Sequence, residues 1–109
     1  MDARLSALAD QLLLIERELR LLGMWSAEAP TAEALASRQP FCVDTLDFEA
    51  WLQWVFLPRM KVLLESSGPL PAASGIRPMA EERYKGRERE VVTLLLVLGE
   101  FDQLIAGAG

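Results

Sequence analysis

The sequence predicts an all-α protein: a compact bundle of three long helices plus one or two short ones, with the central helix kinked at a proline. Three observations carry this. Apolar residues recur at spacings of three and four near both ends of the chain, the period of a helix with one buried face. No apolar/polar alternation is bounded by hairpin turns, so no strand is indicated. Proline and glycine gather in the stretches between the periodic segments. A length of 109 residues suits one domain, 1–109, and an apolar content of 51% supplies a core for it.

The first helix is marked by Leu5, Leu8, Leu12, Ile15, Leu19 and Leu22, all on one stripe, and Gly23 is placed to stop it. Residues 24–46 form a long connection. Thr31 can cap a turn through Ala32, Glu33 and Ala34, and Pro40 turns Gln39 away from helical geometry. Phe41, Val43 and Leu46 can pin the connection to the bundle. Thr45 or Asp47 then caps the central helix, which Gly68-Pro69 and Pro71 end. Residues 68–78 read as a loop, and Pro78 can open a turn through Glu82. Gly86 breaks the chain before a last helix from about Arg87 to Ala106, striped by Val91, Leu94, Leu98, Phe101 and Ile105.

The central helix contains WLQWVFLPRM at 51–60. At about 100° per residue its apolar side chains cover almost the whole circumference. A helix of that kind is either central in a bundle or partly exposed for a partner. Pro58 lacks an N–H, so the carbonyl of Trp54 loses its helical donor, and a kink costing about 3 kcal/mol is expected there unless it is compensated. Arg59 must reach solvent, a freed carbonyl, or one of Asp44, Asp47 and Glu49. Two readings follow. In one the tryptophans are core and Arg59 snorkels or pairs. In the other Trp51, Trp54, Pro58, Arg59 and Met60, with Gln39 and Phe41 beside them, form a protein-docking surface of the residue types that dominate binding energy.

Composition narrows the function classes. The net charge is -5, and the acid excess lies in residues 1–50. Such a chain lacks the cationic surface that grips phosphate backbones. Residues 77–90 are the one strip that could face RNA, through Arg77, Arg83, Lys85, Arg87 and Arg89, but Glu81, Glu82, Glu88 and Glu90 interleave with them. There is no histidine, so the commonest neutral-pH base and metal ligand is missing. Cys42 is the single cysteine, which excludes an internal disulfide and a thiolate cluster. Asp44, Asp47 and Glu49 sit near a helix start, where capping accounts for them; with Arg59 they are the alternative small-ligand or catalytic set. No metal site, cofactor or catalytic residue is predicted. No apolar run approaches the roughly 18–20 residues of a membrane helix, and a cytoplasmic location is expected. The two stripes can be satisfied within one chain or across a homodimer.

QPFCVDTL (39–46), WLQWVFLPRM (51–60), GPLP (68–71) and GIRPMAEE (75–82), in this order, resemble the YqcC-like family of small bacterial proteins. The resemblance implies a cytoplasmic helical bundle with no catalytic residues to carry over. It also implies a genetic neighbourhood with a tRNA pseudouridine synthase, and hence an accessory, non-enzymatic role beside such an enzyme as a protein partner.

Overall fold

Leu8, Leu12, Ile15 and Leu19 are buried along one side of the first helix, α1 (Leu5–Leu21), as the sequence stripe requires. Burying a leucine or isoleucine side chain of this kind contributes about 1.5–3 kcal/mol, so the stripe alone commits α1 to the bundle. The computed structural model describes residues 4–107, and among these there is no strand. The chain is an all-α bundle.

α1 ends as its glycine predicts. Gly23 has φ +72°, the Gly23 N–H donates to the carbonyl of Arg20, and the Met24 N–H donates to that of Leu19, which together close a Schellman turn. The connection that follows holds the single turn α2 (Ala32–Leu35), capped by the Thr31 hydroxyl, which accepts from Ala34 N–H at 3.1 Å. A 3₁₀ turn follows at Pro40–Cys42.

The central helix runs through three segments: α3 (Phe48–Trp51), a π-turn (Leu52–Phe56) and α4 (Leu57–Glu65). The disturbance expected at Pro58 takes the form of this π-turn, one turn upstream of the proline. There the Leu57 N–H donates to the carbonyl of Leu52, five residues back, so the hydrogen-bond ladder is already shifted where Pro58, which has no N–H to continue it, enters the first turn of α4. The π-turn also points the amide of Gln53 inward. It is the one buried polar side chain of the described core, and it accepts from Ser26 N–H at 2.8 Å while donating to the Ser26 carbonyl at 2.7 Å. Both of its polar atoms are satisfied, and residues 24–31 are fastened to the helix in the process.

α5 (Ile76–Arg83) starts two residues before the expected Pro78, and a 3₁₀ turn (Glu88–Val91) precedes α6 (Val92–Ile105). α5 begins at Ile76 because α6 caps it. Asp102 accepts from Ile76 N–H at 3.0 Å and from Arg77 N–H at 2.8 Å, and also from the Ser74 hydroxyl. Gly99 leaves room for the Arg77 side chain, whose Nη1 and Cδ would lie 2.8 and 2.9 Å from a Cβ placed there. The central helix does not separate the first helix from the last. α1 and α6 pack directly against each other, antiparallel, with Arg4 Nη1 donating to the carbonyls of Leu104 and Ile105 and Gln11 Nε2 donating to Glu100. The central helix covers this pair from the side, where Phe56 meets Phe101 edge-on at 5.1 Å between ring centres.

Candidate functional site

A groove of about 530 Å³ opens where the 35–42 connection, the π-turn and the 71–76 loop converge. Its aromatic wall is continuous: Phe41 meets the edge of Trp51 at 4.7 Å, and Trp51 lies 5.4 Å from Phe56. Met60 and Ile76 complete the apolar lining. The backbone beside it is unusual. Phe41 and Cys42, neither a glycine, have φ of 59° and 49° in succession. A left-handed conformation costs about 1–2 kcal/mol per residue. The burial of Cys42, the Phe41–Trp51 contact and the two N–H groups of Thr45 and Leu46 donated to the Cys42 carbonyl offset that cost. The segment is thereby held against the central helix with its rings turned to the groove.

Of the seven residues singled out in the sequence, five line this groove: Gln39, Phe41, Trp51, Arg59 and Met60. Trp54 and Pro58 do not; Trp54 is half-buried elsewhere on the helix and Pro58 faces solvent. Neither tryptophan is fully buried, so the helix is core and surface at once. The lining also includes Arg38, Pro71 and Ser74, which the sequence did not point to. Arg38 adjoins Gln39 and is the only base of residues 24–46, a signal that could have been read. Pro71 and Ser74 are brought in by the packing of α5 on α6, which no local pattern encodes. Val43, expected to pin the connection, is 61% exposed.

Arg59 does not pair with Asp44, Asp47 or Glu49. Those carboxylates are engaged by other groups. The Asp44 carboxylate accepts the Ser37 hydroxyl. Arg83 lies 3.8 Å from Asp47 and donates to Glu49 at 2.7 Å, and the Tyr84 hydroxyl also donates to Glu49 at 2.6 Å. Burial by itself raises the Glu49 pKa, but the hydrogen bonds from Arg83 and Tyr84 outweigh it and hold the carboxyl below its ordinary range. Burial, and then the Glu49 carboxylate, push the Tyr84 phenol above its usual value. This cluster ties α5 to the start of the central helix. The alternative site of three carboxylates with Arg59 is therefore not assembled. The basic strip is also largely committed: Arg77 faces Glu81 at 3.8 Å, Arg83 is taken by Glu49, and Arg87 pairs with Glu90 at 3.1 Å.

Residues 7–104 match the family DUF446, whose description reads tRNA pseudouridine synthase C. The chain belongs to this YqcC-like family. An uncharacterized protein of Haemophilus influenzae is 43% identical over 84 residues, covering 75% of this chain and 79% of that one. The uncharacterized protein YqcC of Escherichia coli K12 is 35% identical over 96 residues, 88% of each chain. The solution NMR structure of E. coli YqcC superposes with a TM-score of 0.86 at 31% identity, covering 99% of this chain and 92% of that one, so the bundle is the fold of the YqcC-like family. A Pectobacterium carotovorum protein named tRNA pseudouridine synthase C is 45% identical over 75 residues, and these make up 69% of this chain but 20% of that protein. No described helix is long and apolar enough to cross a membrane, and no described group of acidic or cysteine side chains is arranged to hold a metal ion.

Proposed function

We propose that this YqcC-like chain is a non-enzymatic, cytoplasmic accessory module that docks a tRNA pseudouridine synthase through the groove beside the π-turn. The observation that carries the partner is the Pectobacterium relative: a segment like this chain forms one fifth of a protein named for that enzyme. A module joined to an enzyme in one protein and separate in another is suited to bind it as a free chain. The groove supports docking over catalysis. Its charged groups are guanidiniums, which hold their protons at all ordinary pH and cannot act as bases, and its depth is apolar.

The test is co-expression of the chain with the pseudouridine synthase of the same cell, followed by size-exclusion chromatography. A complex of defined stoichiometry is expected. Arg59→Ala should weaken it about tenfold, since an interfacial arginine commonly accounts for 1–2 kcal/mol. Arg59 is exposed, so the variant should keep the wild-type circular dichroism. Separate elution of the two wild-type proteins at low salt would overturn the proposal.

A further inference from the structure

The groove carries a charge opposite to that of the protein around it. The chain has 16 acidic and 11 basic side chains, yet Arg38 and Arg59 line the groove and no aspartate or glutamate does. Arg20, Arg77, Arg83 and Arg87 each pair with a carboxylate; Arg17, Arg38, Arg59 and Arg89 have no ion pair or hydrogen bond among the described residues, and of these four Arg38 and Arg59 are the two that line the groove. In an acidic chain, two arginines left over beside an aromatic groove are complementary to an anion delivered together with apolar surface.

We infer that the occupant is an acidic-apolar linear segment of a partner protein, with a carboxylate side chain meeting Arg38 and Arg59 and a large apolar side chain entering against Phe41, Trp51 and Met60. This rests on the reading of the groove as a protein-docking surface and names the chemistry of what docks. A nucleic-acid strand is the less suited occupant. Beyond the groove, the net charge of -5 repels a phosphate backbone.

The chain provides its own reporters. Trp51 lines the groove, while Trp25 lies under the Arg20 guanidinium at 4.6 Å and outside it. The full-length, ¹⁵N-labelled protein would be titrated with a terminally blocked hexapeptide alternating leucine and glutamate, with its leucine–lysine counterpart, and with hexauridylate. Expected are saturable shifts of the Trp51 indole N–H with the glutamate peptide alone, a still Trp25 indole, and weakening by raised salt. Arg38→Glu with Arg59→Glu, both exposed positions, should reduce the affinity at least about tenfold while the spectrum stays dispersed. Equal response to the lysine peptide, response to hexauridylate, or no groove response to the glutamate peptide would each overturn the inference. If a synthase complex survives the double charge reversal, the accessory role stands and the acidic occupant falls. If the glutamate peptide binds as expected and no synthase co-elutes, the occupant stands and the partner falls.

Discussion

Ser67 closes the central helix in a conformation that glycine adopts without strain. Its φ is +53°, its N–H donates to the carbonyl of Leu64, and the Gly68 N–H donates to that of Leu63, so the αL position of this Schellman turn is the serine and not the glycine after it. Ser67→Gly should therefore stabilise the fold. The left-handed strain relieved exceeds the entropy that glycine adds to the unfolded chain by about 0.5 kcal/mol, or roughly 2–4 °C in a thermal melt. A fall in melting temperature would show that the serine is not strained. Gln53 is the opposite case, a side chain whose value is its two hydrogen bonds. Gln53→Leu keeps the volume and removes both bonds to Ser26, for a loss of about 1–2 kcal/mol, with faster amide exchange at Ser26 as the local sign. A buried glutamine in an apolar helix is visible in the sequence as an anomaly, but that its partner is a backbone 27 residues earlier is not.

Elements were legible where their signals are local. The α1 stripe, the Gly23 stop and the Thr31 cap all depend on contacts within one or two turns, and each stands where the sequence puts it. The start of α5 was misplaced because its cap is Asp102, on another helix and 26 residues from Ile76. The same distance problem moved Arg59 away from Asp44, Asp47 and Glu49. A helical wheel orders residues around one axis but does not say which second helix, here α5 with Arg83, reaches those carboxylates first. Asp102→Ala tests the cap directly. It leaves the Ile76 and Arg77 N–H groups without their acceptor and should cost about 1–2 kcal/mol. Hydrogen exchange should speed up at those two amides more than in α1. Uniform loss of protection would instead make Asp102 a global core contact.

At the scale of the whole molecule, the all-α bundle could be read from periodicity, and three residues of the groove, Trp51, Arg59 and Met60, could be read from the crowding of large apolar side chains and arginine on one helix, with Gln39 and Phe41 beside them. The direct pairing of α1 with α6, and the groove's origin where three segments meet, depend on how helices are placed relative to each other, and periodicity leaves that open. What joins the far end of that arrangement is Glu49, which links the central helix to α5 through Arg83 and Tyr84. Its folded-state pKa lies below the ordinary 4.5, so between that value and the lower folded one the unfolded chain binds more protons than the native chain. Stability from this group is thus complete above pH 4.5 and is lost as the pH falls through the folded pKa. Tyr84 acts with the other sign. Its raised pKa favours the neutral phenol in the fold, so its contribution is complete below the ordinary 10.0 and fades as the pH rises above it. Glu49→Gln should lower stability at pH 7 by about 1–2 kcal/mol, as expected for exchanging a charged acceptor for a neutral one that still accepts from Tyr84. Urea denaturation at a series of pH values should then show a shallower fall below pH 4.5 in the variant than in the wild type. Identical acid slopes would place the proton-linked stability on other carboxylates and reduce Glu49 to a surface ion pair.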